Sequence, residues 1–233
     1  MTIRQYASMR ILLFLCISKI ILFMKTLIWD YNGTIIDDVE MCLRIENGMM
    51  ERRQMAVWPQ SLEAYRDAFC FPVIDYYYKL GYTFENETYE DISVEFNDLY
   101  KEHFHECGLM DGFEDKITEA IDKGYRNVIL SASRHDALNA QCRKLGIEKY
   151  FDEILGIDNY LAGSKIDMAL QWMKNSGTSP DECMYIGDTQ HDYDTAKALG
   201  ISHIVLISCG HQSERVLRQY CENVVPSLRE VNL

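Results

Sequence analysis

Residues 25–34 read KTLIWDYNGT, an apolar run that stops at an aspartate and is followed by a glycine. The run is continuous rather than alternating in hydrophobicity, which is typical of a strand covered on both faces of a parallel sheet. Asp30 stands at the carboxyl end of this strand, and Gly33 lets the backbone turn sharply as it leaves. Ligands of open α/β sheets bind at this end of the strands, so the segment predicts a functional edge.

Similar short apolar runs recur along the chain and alternate with segments of helical periodicity. The runs lie at 126–130, 182–186 and 203–207, with a weaker one at 153–157. The helical segments lie around 114–123, 135–145, 165–175 and 190–199. Strands that alternate with helices in this way predict an α/β fold with a doubly wound, Rossmann-like parallel sheet.

Residues 39–111 have a different pattern, because they contain helical periodicity and no comparable apolar run. The predicted helices lie near 39–53, 61–69, 73–80 and 88–106. A block of helices inserted after the first strand is interpreted as a separate cap subdomain. The core would then comprise residues 24–38 and 112–233.

The first 23 residues are excluded from this fold. Residues 11–24 are almost wholly apolar, but the run has 14 residues with Lys19 in its middle, whereas a membrane-spanning helix needs about 20. A signal peptide would require a small-residue cleavage site, and none follows. We therefore favour translation from Met24, with a signal or anchor segment and a folded extension as the alternatives.

The composition is that of an ordinary globular protein, with 48% hydrophobic and 25% charged residues. A net charge of −13 disfavours nucleic acid as a partner. The eight cysteines form no C-x-x-C pair, which favours reduced thiols in a cytoplasmic protein over a zinc or redox motif. A glycosylation sequon at 32–34, in the predicted functional turn, also weighs against secretion. Membrane association is not expected, and the oligomeric state is left open.

Chemically useful residues follow the predicted strands or begin a predicted helix. They are Asp30, Ser131, Ala132, Lys165, Asp188 and Asp192. The Asp30 carboxylate could attack phosphorus and form an aspartyl-phosphate, and together with Asp188 it could hold Mg²⁺. Lys165 and the hydroxyl and backbone N–H groups near Ser131 could hold phosphoryl oxygens. The set therefore predicts phosphoryl transfer.

In these motifs and their order, residues 25–210 resemble the haloacid dehalogenase superfamily, in particular its phosphoglycolate phosphatase-like members with a small helical cap. The resemblance implies that Asp30 is the nucleophile and that Ser131, Ala132 and Lys165 bind phosphate. It also implies a Mg²⁺ cofactor held by Asp30, Asp188 and the backbone carbonyl of Asn32, with Asp192 as a further ligand or a supporting carboxylate. A small phosphorylated metabolite, such as phosphoglycolate or a sugar phosphate, would be the substrate.

The sequence departs from this family at Asn32, where its phosphatases carry a second aspartate that acts as general acid and base. A carboxamide cannot exchange a proton near pH 7, so slow hydrolysis is expected. Four histidines are candidates for a replacement, namely His191, His135, His103 and His105. Residues 210–212 lie at a predicted strand end and could edge the ligand crevice, but a simple loop is the favoured interpretation.

The leading hypothesis is a Mg²⁺-dependent phosphatase of small phosphate monoesters. Because Asn32 replaces the acid, two alternatives are kept. One is a catalytically weak phosphate-binding or regulatory protein of the same family. The other is a family member that cleaves a carbon–halogen or carbon–phosphorus bond.

Overall fold

The computed structural model describes residues 26–158 and 165–233. Its strands are β1 Thr26–Trp29, β2 Ile36–Asp37, β3 Gly108–Leu109, β4 Arg126–Arg134, β5 Glu153–Ile157, β6 Cys183–Gly187, β7 His203–Ile207 and β8 Val224–Val225. Its α-helices are α1 Val39–Arg52, α2 Leu62–Ala68, α3 Val73–Leu80, α4 Tyr89–His103, α5 Phe113–Asp122, α6 His135–Leu145, α7 Ile166–Ser176, α8 Gln190–Ala198 and α9 Glu214–Leu217. The segment interpreted as preceding the true start, residues 1–23, lies outside the described residues.

Six strands form one parallel sheet in the order β5-β4-β1-β6-β7-β8. The central strand β1 pairs with β4 on one side and with β6 on the other, so that Trp29 is level with Ile129 and Ile186. Helices connect these strands along the chain. The predicted α/β fold with a doubly wound parallel sheet is therefore confirmed.

Alternate residues of β1 pack into separate apolar clusters. Trp29 is fully buried in one cluster, where its ring meets Phe113 of α5 edge-on at 5.8 Å. Ile28 is fully buried in the other, with Ala169 and Trp172 of α7. Apolar burial on both faces explains why the strand sequence is continuous rather than alternating.

The four helices α1–α4, called here the inserted helices, lie between β2 and β3. These two short strands pair antiparallel, with Ile36 opposite Leu109, and bring the chain back to the core. The sequence predicted no strand within 39–111, so β3 is a correction; a two-residue strand is too short to leave a pattern. The division into core and cap stays a prediction.

A capping box defines the start of α4. The Thr88 side chain accepts a hydrogen bond from the backbone of Asp91, whose carboxylate in turn accepts one from the backbone of Thr88. This agrees with the predicted helix start near residue 88. In the core, β4 runs past the predicted end at residue 130 as far as Arg134, so residues 131–133 belong to the strand.

The cysteines are free thiols in the part of the chain that the structure describes, which contains seven of them. Four are buried, namely Cys42, Cys142, Cys183 and Cys221. Within the same residues, no helix is both long enough and apolar enough to cross a membrane.

Candidate active site

The residues predicted at the strand ends come together where β4, β1 and β6 end side by side. Asp30 directly follows β1, and its backbone N–H still donates to the carbonyl of Ile186 at 2.9 Å. Ser131 lies two residues beyond the partner of Trp29 in β4, and Asp188 directly follows β6. All three side chains are buried, with 8% or less of each exposed.

Lys165 joins this group from the N-terminus of α7, as predicted. Its ammonium group donates to the Asp30 carboxylate, to Asp192 at 2.7 Å and to the carbonyl of Leu130 at 3.1 Å. Burial alone would lower the pKa of Lys165, but the charges of Asp192 and Asp30 raise it well above its usual value. Lys165 is therefore a permanent cation fixed beside the proposed nucleophile.

The carboxylates Asp30, Asp188 and Asp192 form a buried cluster whose oxygens lie within 4.8 Å of one another. Burial, with a further contribution from the charge of Asp192, raises the pKa of Asp30 well above its usual value. Burial likewise raises the pKa of Asp188 to about 7, although the nearby His211 opposes this shift. One lysine among three buried carboxylates leaves an excess of negative charge, which suits a divalent cation.

Two glycines leave the space that Asp188 occupies. A Cβ atom at Gly33 would lie 2.3 Å from Asp188 Oδ2, and so would one at Gly210. Gly33 also has a φ of +69°, which disfavours other residues. The Oδ1 atom of Asp188 accepts a hydrogen bond from Thr34 at 3.0 Å, and Oδ2 accepts one from the backbone of His211 at 2.6 Å. The turn after β1 therefore fixes the orientation of this carboxylate.

Asp192 has hydrogen bonds at both carboxylate oxygens. Its Oδ1 accepts from Lys165 and from Tyr185 at 3.2 Å, and its Oδ2 accepts from Thr189 Oγ1 at 2.6 Å and from the backbone of Asp188 and Thr189. The contacts with Thr189 form the capping box of α8. These contacts favour the supporting role over direct metal ligation for this residue.

Ser131 Oγ accepts a hydrogen bond from the backbone of Ser133 at 3.0 Å. Its hydroxyl proton has no acceptor among the described residues. Ser131 and Ala132 line the same cavity as Asp30 and Lys165. The predicted phosphate-binding residues therefore share one cavity with the proposed nucleophile.

The side chain of Asn32 is fully hydrogen-bonded to protein. Its amide nitrogen donates to Asp38 at 2.8 Å and to the hydroxyl of Tyr100 at 2.9 Å, and its carbonyl accepts from Ser133 at 2.7 Å. Both amide hydrogens are thus taken. Asn32 is therefore held in place by its neighbours and has no donor left for a leaving group.

Sequence reasoning missed the partner of Asn32, the buried carboxylate of Asp38. Asp38 is 1% exposed and also accepts from the backbone of Gly33 at 2.9 Å and from Tyr100 at 2.8 Å. His211 Nε2 lies 3.3 Å from its Oδ1. Burial would raise the pKa of Asp38, but the charge and hydrogen bond of His211 lower it. Asp38 is the N-cap residue of α1, a position that the sequence alone marks as structural.

His211 belongs to residues 210–212, for which the sequence favours a simple loop over a place at the edge of the site, and the structure shows the latter. Its imidazole is 6% exposed, and its Nδ1 lies 2.8 Å from the hydroxyl of Tyr65. Burial would lower the pKa of His211, but the charge of Asp38 raises it to about 9. Its sequence position beyond the carboxyl end of β7 indicates a place at the same edge of the sheet as Asp30 and Asp188.

Of the four histidines considered as a replacement acid and base, only His191 lines the cavity among the described residues. Its ring stacks on Phe71 at 4.5 Å, and burial lowers its pKa to about 4, so it is neutral near pH 7. The other three are exposed or half-buried and bond locally, His135 with Asn139, His103 with Glu106 and His105 with a backbone carbonyl.

The comparisons with known proteins agree with this arrangement. The sequence model of the family "Haloacid dehalogenase-like hydrolase" matches residues 27–206. A phosphoglycolate phosphatase of Vibrio parahaemolyticus is 21% identical over 214 residues, which cover 89% of this chain and 94% of that protein. The tyrosine-protein kinase PtkA of Mycobacterium tuberculosis is 27% identical over 99 residues, or 42% of this chain and 34% of the kinase.

Among solved structures, a haloacid dehalogenase-like hydrolase from Streptococcus pneumoniae superimposes with a TM-score of 0.74 at 19% identity, covering 90% of this chain and 97% of the other. This likeness shows a shared fold. The family match spans most of the chain and includes Asp30, Ser131, Lys165 and Asp188. The chain therefore belongs to the haloacid dehalogenase-like hydrolase family.

Proposed function

We propose that the protein is a Mg²⁺-dependent phosphatase of small phosphate monoesters that forms an aspartyl-phosphate on Asp30. The observation that carries this proposal is the position of the Lys165 ammonium group between Asp30 and Asp192, beside Ser131 and within a buried carboxylate cluster. A fixed cation next to a carboxylate that faces a cavity is what binding and attack of a phosphoryl group require.

The donor set fits Mg²⁺, which prefers oxygen ligands and usually takes one or two protein carboxylates. Asp30, Asp188 and the backbone carbonyl of Asn32 would hold the ion, while Asp192 would orient Lys165. The ion, when bound, supplies positive charge that neutralises the carboxylates and the phosphoryl oxygens. The raised pKa values of Asp30 and Asp188 support this assignment, because such groups gain most from a nearby cation.

The reaction itself would use the protein's own groups. A carboxylate oxygen of Asp30 attacks phosphorus, the bond from phosphorus to the ester oxygen breaks, and the alcohol leaves as its anion and takes a proton from water. Lys165, together with the hydroxyl of Ser131 and the backbone N–H of Ala132, stabilises the charge on the phosphoryl oxygens. Water then cleaves the aspartyl-phosphate and restores Asp30.

Asn32 would make both steps slow for poor leaving groups. A carboxamide cannot protonate the departing oxygen, and neither amide hydrogen is free to donate a hydrogen bond to it. No carboxylate stands at this position to activate the water. Leaving groups that are stable as anions, such as nitrophenolate, need no proton and would avoid the first limitation. We therefore propose that aspartyl-phosphate forms faster than it is hydrolysed.

The hydrogen-bonded amide of Asn32 also favours a second candidate, a phosphate-binding or regulatory protein with little turnover. It differs in its expected behaviour, because ligand would bind with Mg²⁺ but no product would form even from activated esters. Cleavage of a carbon–halogen or carbon–phosphorus bond is the remaining alternative, and carbon–halogen cleavage would survive removal of the metal. The buried acidic cluster is the argument against that activity.

We propose that the substrate is a small phosphorylated metabolite and that the protein acts in the cytoplasm. The small volume of the cavity, about 180 Å³, supports the first statement. The free thiols and the sequon in the turn at Asn32 support the second, since a glycan there would block the site.

Release of nitrophenol from nitrophenyl phosphate, with Mg²⁺ and then with excess chelator, tests this function. Activity that requires Mg²⁺ and is lost in Asp30→Asn supports it. Asp194→Asn, which changes an exposed carboxylate of α8, is the matched control and should behave as the parent. Absence of turnover in the parent, or turnover that persists without metal, would contradict the proposal.

A further inference from the structure

The cavity of about 180 Å³ at the active site extends away from Asp30 into the inserted helices. Its far end is lined mainly by aromatic side chains of these helices. They are Tyr65, Phe69, Tyr77, Tyr89 and Phe96, whereas the hydroxyl of Tyr100 bonds Asn32 and Asp38 near the Asp30 end. In the proposed reaction the phosphoryl group lies at the Asp30 end, so the alcohol that leaves would occupy the aromatic end.

One carboxylate, Glu46 of α1, lines this aromatic end of the cavity. It is 4% exposed, and its Oε2 accepts a hydrogen bond from Tyr76 at 2.6 Å. Among residues 26–158 and 165–233, no hydrogen bond reaches its Oε1 atom. Burial raises the pKa of Glu46 to about 8, despite the hydrogen bond from Tyr76 and the charge of His211. Since Glu46 lines the cavity, its Oε1 atom is available to a ligand there.

The cavity offers little to attract a second anionic group. Of the described lysine and arginine residues, only Lys165 and Arg134 line it. Lys165 is bound to the carboxylates at the reaction end, and Arg134 makes a two-point contact with Asp136. The charge of His211 faces Asp38. A carboxylate on the alcohol would thus find neither a lysine nor an arginine to pair with beside Glu46.

A cationic group would instead find two kinds of attraction at the same place. Aromatic faces attract ammonium groups, and quaternary ammonium ligands are commonly bound in such surroundings. The rings around Glu46 are held by their own contacts, with Tyr76 edge-on to Tyr65 at 6.0 Å and to Phe69 at 5.1 Å. A carboxylate among fixed rings therefore forms a site for a small organic cation.

We infer that the substrate is the phosphate monoester of a small amino alcohol, whose ammonium group binds beside Glu46 among the aromatic side chains. This inference rests on the proposed phosphatase activity and narrows its substrate class. It disfavours phosphoglycolate, whose carboxylate would lie beside Glu46 at the aromatic end of the cavity. Binding of the cation favours the ionised form of Glu46, so a proton is released when the two meet near pH 7.

Three esters of similar size test the inference by turnover. They are phosphocholine, its uncharged analogue 3,3-dimethylbutyl phosphate, and phosphoglycolate. We expect kcat/KM to be at least about tenfold higher for phosphocholine than for either of the others. Glu46→Gln should remove this preference, so that kcat/KM for phosphocholine falls to about that for dimethylbutyl phosphate. Glu51→Gln, an exposed position at the end of the same helix, is the matched control and should keep the preference.

Equal turnover of the charged and uncharged esters, or an unchanged preference in Glu46→Gln, would overturn the inference while the phosphatase activity stands. Calorimetric titration with choline and with 3,3-dimethylbutanol gives a reading that does not depend on turnover. Choline alone should bind, with proton release near pH 7 in the parent and none in Glu46→Gln. Choline binding without hydrolysis of any ester would contradict the phosphatase proposal and retain the cation site; no choline binding would remove that site.

Discussion

Replacing Asn32 by Asp is the most informative single change, because it supplies the carboxylate that the family's phosphatases carry at this position. A general acid or base typically contributes about 10²–10⁴-fold to a rate. We therefore expect Asn32→Asp to raise turnover of esters with poor leaving groups by a factor in this range. Nitrophenyl phosphate, whose leaving group needs no proton, should gain only through faster hydrolysis of the aspartyl-phosphate.

The structure also sets the cost of this change. The new carboxylate would face Asp38 Oδ2, which now lies 2.8 Å from the Asn32 amide nitrogen. Two carboxylates at this separation cannot both be ionised without a large rise in one pKa, so they would share a proton. Loss of the amide's hydrogen bond to the Asp38 carboxylate would cost about 1.5–3 kcal/mol if no proton were shared. The shared proton lies where a leaving oxygen could take it.

The assay compares the parent with Asn32→Asp and with the double variant Asn32→Asp/Asp38→Asn. In the double variant the carboxylate stands at position 32 and the amide at position 38, so one amide again faces one carboxylate. It should keep the rate gain of Asn32→Asp and lose less stability than that single variant. Intact mass must first show that Asn32, which precedes a glycine, has not deamidated in the parent. No rise in turnover of any ester by Asn32→Asp would refute the reasoning that the missing carboxylate limits the rate.

Three further changes test other parts of the account. Lys165→Met should abolish turnover and lower the free energy of unfolding by about 3–5 kcal/mol, because it leaves buried carboxylates unpaired. Urea unfolding with and without Mg²⁺ measures this loss. A loss that Mg²⁺ does not reduce would contradict the proposed charge balance. Gly33→Ala should weaken the thermal stabilisation by Mg²⁺, because the added Cβ would collide with Asp188. Gly124→Ala, with a similar φ of +75° and open space around it, should leave this stabilisation unchanged. An equal loss of stabilisation in both variants would argue against the contact with Asp188. Because the pKa of Glu46 is raised to about 8, this group is protonated in the folded state and ionised in the unfolded state between about pH 4.5 and 8. The free energy of unfolding should therefore fall as the pH rises through this range. Urea unfolding of Glu46→Gln should show a weaker decline over that range, and an unchanged slope would oppose the assignment.

The parts of the fold that follow from local pattern were predictable from the sequence. The continuous apolar runs gave the five long strands of the sheet, and the principle that ligands bind at the carboxyl ends of parallel strands placed Asp30, Ser131 and Asp188 together. Lys165 was found because a lysine at a helix start opposes the helix dipole and so requires another reason to be there.

The contacts made across long sequence separations were not predictable. Asp38 and His211 are 173 positions apart, and neither lies in a motif of its own. The sequence predicts a helix N-cap at Asp38 and a loop at His211. Their pairing beside Asn32 depends on how the strands and the inserted helices pack. Glu46 has the pattern of an ordinary helical glutamate, and only its burial in the cavity distinguishes it.

The proposed function requires that Asp30 becomes covalently phosphorylated, and this adduct can be trapped. The protein is mixed with nitrophenyl phosphate and Mg²⁺, quenched in acid and digested, and the peptide containing Asp30 is analysed by mass spectrometry. The account predicts one added phosphoryl group on Asp30, removable by hydroxylamine and absent from Asp30→Asn. Turnover without any adduct on this peptide, or an adduct on another residue, would contradict it.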